Sequence, residues 1–192
     1  MHYLDIILLP DVEDNIGFIW QKVYQQVHIA LSDNKIAENK SVIACSFPGY
    51  AFKDFPLGNK LRLLASSDDL LESLSVNYWL KRLADYVHIT AIKSVPDSVT
   101  EYVCFSRKQF NTNISRMARR RAKRKGEPFE QALLHYSDFK DEQTNLPYIN
   151  IKSLSRGEQF RLFIEQSVEG EAVSGEFNCY GLAKDKATVP WF

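Results

Sequence analysis

Residues 3–31, YLDIILLPDVEDNIGFIWQKVYQQVHIAL, contain the pattern that decides the fold of this 192-residue chain. The apolar run at residues 3–9 predicts a strand, which Pro10 and an acidic turn bring to an end. Apolar residues then recur at helical spacing over residues 16–31 and predict an amphipathic helix. The chain therefore begins with a strand followed by a helix.

Three further strands and a second helix follow in the first half of the chain. The strands are predicted at residues 42–47, 60–65 and 87–93. The helix is predicted to begin at DDLLESL after a cap at Ser66 or Ser67, and to continue with an interruption to about residue 86. The order strand, helix, strand, strand, helix, strand is that of a ferredoxin-like domain, in which two helices cover one face of an antiparallel sheet. We therefore expect an α+β protein whose residues 1–94 form a ferredoxin-like domain.

The second half, residues 95–192, is predicted to be a separate α+β domain. Residues 100–109 are extended, a basic helix starts with Ser115 as its N-cap, and a shorter helix occupies residues 129–136. Further strands are predicted at residues 148–155, 159–166 and 176–183.

The charge of the chain is strongly polarised although its total is zero. Lys and Arg number 24, and so do Asp and Glu. Residues 106–126, SRKQFNTNISRMARRRAKRKG, hold nine cations and no acid, so the remainder carries 15 cations against 24 acids. Helical spacing places five of these cations along one face, namely Arg116, Arg119, Arg120, Lys123 and Arg124. A solvated helix face or a disordered basic tail is the plain alternative, but arginine-rich spacing favours a phosphate-bearing ligand.

The chain offers few residues for metal or nucleotide chemistry. Its four histidines lack metal-ligand spacing, the three cysteines are far apart, and no phosphate-binding glycine loop is present. Asp68 and Asp69 are explained by the dipole of the helix that they begin. We therefore expect no metal and no cofactor. The cysteines favour reduced thiols, and the lack of a targeting segment favours a soluble cytoplasmic protein.

RNA cleavage is a reaction that needs no cofactor. RNA carries its own nucleophile in the 2′-hydroxyl, and cutting it requires a base, in-line geometry and stabilisation of the leaving oxygen. His28, at the edge of the apolar stripe of the first helix, is a candidate base. A packed core histidine is the alternative for a lone histidine at such a position.

The chain resembles the type I-F CRISPR RNA-processing endoribonucleases, a Csy-type branch of the Cas6 superfamily, over nearly its whole length. The resemblance rests on eight short motifs: HYLDI at 2–6, VHIAL at 27–31, SFP at 46–48, LRLLASSDDL at 61–70, SRKQ at 106–109, SLSRGEQFRLFI at 153–164, FNCYGLAK at 177–184 and VPWF at 189–192.

The resemblance implies an activity. An enzyme of this kind would bind the stem-loop of each repeat in precursor CRISPR RNA and cut at the 3′ base of the stem without a metal. The cut would leave a 2′,3′-cyclic phosphate, and the enzyme would stay with the mature RNA and join the other subunits of the type I-F surveillance complex.

The resemblance also implies roles for single residues. His28 corresponds to the catalytic histidine, acting as base, as electrostatic stabiliser or as both, while Ser153 would position the 2′-hydroxyl and Tyr180 would orient the histidine. The implied RNA contacts are base reading by Arg107 and Gln109, stacking by Phe160, a backbone contact by Ser155, and phosphate contacts by Arg116, Arg119, Arg120, Lys123 and Arg124.

Two other functions compete with this interpretation. A non-catalytic hairpin RNA-binding module would use the same cations without His28 chemistry. A protein-interaction adaptor would show weak salt dependence, whereas phosphate binding by five or more cations falls steeply with salt.

Overall fold

The computed structural model describes residues 1–10, 15–51, 55–110, 114–137, 144–153 and 157–192. It contains helices and two antiparallel sheets, so the chain has an α+β fold. The chain forms two compact units, Met1–Lys108 with Pro147–Phe192, and Gln109–Leu146. Residue 94 lies inside the first unit, and the division into domains at 1–94 and 95–192 stays a prediction. Among the described helices, none combines the length and the apolar character that crossing a membrane requires.

The first sheet contains the strands of the first half of the chain. These are β1 (His2–Leu8), β2 (Ala44–Ser46), β3 (Lys60–Ala65), β4 (Val87–Ile89) and β5 (Lys93–Ser94). The order is β2-β3-β1-β4 with every pair antiparallel, and β5 pairs with the start of β1. The predicted strand at 87–93 is therefore two short strands, because the residues between β4 and β5 leave the ladder.

A buried ion pair lies within this sheet. Arg62 donates from Nε to Asp5 Oδ1 at 2.7 Å and from Nη2 to Asp5 Oδ2 at 3.0 Å, and both residues are buried. The same guanidinium donates to the carbonyl of Phe192 at 2.8 Å and stacks on the Phe192 ring. Through Arg62, this network ties Phe192 to the first sheet. Removing either Asp5 or Arg62 would leave a buried charge without its partner.

Helices accompany the first sheet. They are α1 (Ile16–Asp33), α2 (Asp68–Leu74), α3 (Val76–Leu80) and a 3₁₀ helix (Lys81–Tyr86). The side chain of Asn15 caps α1 by accepting from the Gly17 amide at 2.7 Å. Ser75 adopts a φ of 51°, in the left-handed region, between α2 and α3. This residue is the interruption that the sequence predicts in the second helix.

The second sheet contains β6 (Tyr102–Lys108), β7 (Tyr148–Lys152), β8 (Gln159–Glu169) and β9 (Val189–Pro190). Its order is β7-β8-β6-β9, again antiparallel. The predicted strand at 148–155 ends at Lys152, and its last two residues lie outside the described part. Buried residues of both sheets belong to one hydrophobic cluster, in which Phe47 of the first half contacts Phe105 of β6 at 5.1 Å between ring centroids.

The strand predicted at 176–183 is wrong, because residues 178–182 form a turn. Asn178 Oδ1 accepts from the Tyr180 amide at 2.8 Å and from the Leu182 amide at 3.3 Å. Gly181 has a φ of 70°, a conformation that glycine adopts without steric cost. The Asn178 side chain thus accepts hydrogen bonds from backbone amides that, in a strand, would donate to a neighbouring strand. We call residues 178–182 the Asn178 turn.

The second unit contains α4 (Ile114–Lys125) and α5 (Phe129–Leu134). Ser115 was predicted as the N-cap of the basic helix, and this is wrong because α4 already includes Ile114. Gly126, with a φ of 68°, ends α4 in the left-handed conformation common after helices. The helix predicted at residues 129–136 ends two residues early, at Leu134.

Candidate active site

His28 lies near the end of α1 and stacks on the Tyr180 ring. The two ring centroids are 4.0 Å apart and the ring planes are 9° from parallel. His28 is 7% exposed, while Tyr180 is half-buried. The structure therefore brings together two residues that are 152 positions apart in the sequence.

One hydrogen bond sets the proton position on His28. Its Nδ1 lies 2.8 Å from the carbonyl oxygen of Cys179. A carbonyl oxygen only accepts, so Nδ1 carries the hydrogen and, in the neutral ring, Nε2 carries the lone pair. The Ser32 hydroxyl is 3.5 Å from the same Nδ1, too far to compete with the carbonyl. The imidazole is thus arranged to accept a proton at Nε2.

The Asn178 turn, which supplies the Cys179 carbonyl, is fixed to the first sheet and to α1. The Cys45 amide of β2 donates to the Gly181 carbonyl at 2.7 Å. The Tyr24 hydroxyl, one helical turn before His28, donates to the Tyr180 carbonyl at 2.7 Å. These two bonds come from different elements and hold two successive carbonyl groups of the turn.

Arg107 and Phe160 complete the cluster around Tyr180. The Arg107 guanidinium carbon lies 5.2 Å from the Phe160 ring centroid and 5.7 Å from that of Tyr180. Phe160 and Tyr180 meet edge to face with centroids 6.5 Å apart. All three side chains are half-buried, so each keeps an exposed part for a ligand. Such a group of a cation and two aromatic rings can stack on a base and contact a phosphate.

Burial controls the ionisation of these groups. Burial lowers the pKa of His28 below its usual 6.5, the Cys179 hydrogen bond opposes that shift, and the Arg107 charge lowers the pKa further. Burial raises the pKa of Tyr180, so the phenol stays protonated. Burial also raises the pKa of Cys45 to about 12, which keeps this thiol protonated and a poor nucleophile. The neutral imidazole is therefore the base of the cluster.

Ser153 directly follows β7 and is hydrogen-bonded to residues just before β8. Its amide donates to the Glu158 carbonyl at 2.8 Å and its carbonyl accepts from the Gly157 amide at 2.9 Å. The preceding Lys152 amide donates to the side chain of Gln25, which lies one turn before His28 on α1. That bond connects the strand leading to Ser153 with the helix that carries His28. The other predicted serine, Ser155, lies outside the described residues.

We call the five cations predicted along one face of the basic helix the cation ladder, and all five lie on α4 in the second unit. Its five members are all exposed: Arg116, Arg119, Arg120, Lys123 and Arg124. Arg121, which the ladder omits, is instead half-buried and pairs with Glu127 at 2.6 Å. Gln109, the first residue of this unit, is also exposed. The ladder residues thus form an exposed cationic face of α4.

Sequence reasoning missed three residues that hold the site together. Asn178 shapes the turn, Tyr24 holds the Tyr180 carbonyl, and Gln25 holds the end of β7. Tyr24 lies four residues before His28, so helical spacing could have indicated it. Asn178 and Gln25 act through contacts between distant parts of the chain, and no local pattern indicates those.

Within the described part of the chain, no three His, Cys, Asp or Glu side chains are grouped so that they could hold a metal ion. The three cysteines are buried and free.

Comparisons with known proteins match the whole chain to one family. The model of the family described as CRISPR-associated protein (Cas_Csy4) matches residues 3–192. A protein of Escherichia coli (strain UTI89 / UPEC) and one of Pseudomonas aeruginosa (strain UCBPP-PA14), both named CRISPR-associated endonuclease Cas6/Csy4, are 34% and 35% identical. Each alignment covers 100% of this chain and 99% of the relative.

Among solved structures, one titled "An RAMP protein binding different RNA substrates" is similar with a TM-score of 0.33 and 13% identity. The alignment covers 100% of this chain and 99% of the chain in that structure.

We predict that Gly181→Ala destabilises the protein more than Gly157→Ala does. Both glycines have φ near 70°, so alanine costs about 1–2 kcal/mol at either position. At Gly181 a Cβ would also lie 2.9 Å from the Cys45 amide nitrogen and closer still to Cys45 Sγ, whereas no described atom lies within 4 Å of a Cβ at Gly157. The overlap should lower the free energy of unfolding by a further 1–3 kcal/mol, roughly. Urea unfolding measures both variants, and equal losses would contradict the tight docking of the turn.

Proposed function

This chain belongs to the CRISPR-associated Cas_Csy4 family, and on that premise we propose that it is an endoribonuclease that processes CRISPR RNA. It binds the stem-loop of each repeat, cuts at the 3′ base of the stem without a metal, and keeps the product. The observation that carries the proposal is the His28 imidazole, neutral, buried, and held with its lone-pair nitrogen Nε2 available. The names of the two relatives support the same activity.

In the proposed reaction His28 acts as the general base. Nε2 takes the proton of the 2′-hydroxyl, the 2′-oxygen attacks the adjacent phosphorus, and the bond from phosphorus to the 5′-oxygen breaks. The leaving 5′-oxygen takes up a proton from water and becomes a 5′-hydroxyl, the other product is a 2′,3′-cyclic phosphate, and His28 then returns its proton to the solvent. Ser153 positions the 2′-hydroxyl, and Tyr180 holds the imidazole plane by stacking. The Cys179 carbonyl stabilises the imidazolium that forms, as an acceptor of the Nδ1 hydrogen.

Binding in this proposal is shared between several groups. The exposed face of α4 contacts phosphates, Arg107 and Gln109 read base edges, Phe160 stacks under the last base pair, and Ser155 contacts the backbone. Exposure of all five ladder residues supports the phosphate role, since exposed cationic side chains can contact phosphate oxygens. The half-buried ring of Phe160 beside Arg107 supports the stacking role.

The fold proposal is finer than an α+β assignment. We propose that the first sheet with its helices is a ferredoxin-like domain, which the strand order β2-β3-β1-β4 supports. We also propose a cytoplasmic protein that joins the other subunits of the type I-F surveillance complex through its bound RNA. Three buried free cysteines are consistent with a reducing compartment.

We predict that His28→Ala abolishes cleavage and leaves binding nearly intact. The substrate is a hairpin RNA from the CRISPR repeat beside the gene, incubated in EDTA. Losing a general base should slow cleavage by about 10²–10⁴-fold, and a substrate with a 2′-deoxy nucleotide before the cut should not be cleaved by the native protein.

His88→Ala is the matched control, because His88 lies exposed on β4 and takes no part in the cluster. Retained cleavage by His28→Ala would remove His28 from the mechanism. Binding of the hairpin without any cleavage by the native protein would favour the non-catalytic module.

We also predict how the rate of cleavage depends on pH. The pKa of His28 lies below 6.5, so the neutral base is fully present at pH 7 and is lost as the pH falls through that lowered value. The second-order rate constant of cleavage, which reports the free enzyme, should therefore rise with pH to a midpoint below 6.5 and then level off. Single-turnover kinetics from pH 4.5 to 8 measure it. A midpoint above pH 7 would show that some other group limits the reaction.

A further inference from the structure

A groove lies beside α1, and no step of the proposed reaction uses it. It encloses about 560 Å³ between α1 and residues 78–83. Lys22 and Gln25 line it on α1, and Tyr78, Trp79, Lys81 and Arg82 line it on the other side. We call it the α1–α3 groove.

The lining combines three cations and two aromatic rings with Gln25, Gln26 and Leu83. Lys22, Lys81 and Arg82 are exposed, Tyr78 is 61% exposed, and no described acidic side chain lines the groove. Lys81 Nζ lies 4.4 Å from the centroid of the Tyr78 ring. Lys22 Nζ also lies 4.9 Å from the ring centroid of Phe18, a residue of α1 that is 52% exposed and does not line the groove. Exposed rings and cations side by side are the combination that binds single-stranded nucleic acid, because bases stack on the rings and phosphates meet the cations.

The groove continues toward the candidate active site through Gln25. Gln25 lines the groove, and its side chain accepts the hydrogen bond of the Lys152 amide. Lys152 is an exposed cation next to Ser153, and His28 lies one helical turn after Gln25. Along α1, Lys22 and His28 are separated by about 9 Å at the usual rise per residue. Gln25 therefore connects the groove with Lys152 and with the helix that carries His28.

We propose that the α1–α3 groove binds the single-stranded RNA downstream of the cut. This inference rests on the proposed function, since it takes His28 as the place of cleavage. Of the strands at the base of a stem, the downstream one carries the 5′-oxygen of the reacting phosphate, so it is the one that begins at His28. Tyr78 and Trp79 stack on its bases, and Lys22, Lys81 and Arg82 neutralise its phosphates.

The test compares two uncleavable RNAs with a 2′-deoxy nucleotide before the cut. One is the repeat hairpin alone, and the other carries a single-stranded 3′ extension of about ten uridines, within the range that such surfaces cover. For the native protein the extension should tighten binding about tenfold. The triple variant Tyr78→Ala, Lys81→Ala, Arg82→Ala should bind the hairpin alone as the native protein does and should lose the gain from the extension.

Lys35→Ala with Lys93→Ala is the control, because both lysines are exposed and lie outside the groove. It should keep the gain. The proposal is overturned if the native protein gains nothing from the 3′ extension, which would leave the groove to a protein partner, or if the triple variant keeps the gain. The proposal is also overturned if a 5′ extension of equal length tightens binding to the native protein and the triple variant loses that gain in affinity. Cleavage of the all-ribose hairpin by the native protein is measured alongside, so a failure of the proposed function is seen separately.

Discussion

The hydrogen bond from His28 Nδ1 to the Cys179 carbonyl is the interaction on which the candidate site depends. It fixes which nitrogen bears the hydrogen and therefore which nitrogen can take a proton. The Asn178 turn, which supplies this carbonyl, is docked against β2 and α1 through the Cys45 amide and the Tyr24 hydroxyl. The last part of the chain thus determines the chemistry of a helix near its beginning.

Packing and electrostatics act in the same direction at this histidine. Burial under the Tyr180 ring and the charge of Arg107 both favour the neutral imidazole, and only the Cys179 bond favours the charged form. A base must be neutral before it acts and must be stabilised after it has taken the proton. The Cys179 carbonyl stabilises the imidazole after it has taken the proton, and for the same reason it opposes the lowering of the His28 pKa by burial.

Local sequence signals predicted the elements whose boundaries are set locally. The strand at 60–65 agrees with β3 at both ends, and the helix predicted at residues 16–31 begins with α1 at Ile16 and ends two residues before it, because its apolar spacing is a local signal. The Asn178 turn was predicted as a strand, since its apolar and aromatic residues resemble one and the side-chain capping by Asn178 has no period. Residue chemistry offers His28 only as one candidate base beside a packed core histidine, and the role of Tyr180 is implied by the family resemblance alone, because the contact between the two joins distant parts of the chain.

The central claim is that the fold holds His28 as the tautomer with hydrogen on Nδ1 and the lone pair on Nε2. Nitrogen-15 NMR of the imidazole ring tests it most directly, in the free protein at a pH above 7. The account predicts a protonated Nδ1 and an unprotonated Nε2 for His28. A His28 ring protonated on Nε2 instead would contradict it, because that ring could neither donate to the Cys179 carbonyl nor accept a proton from RNA at Nε2.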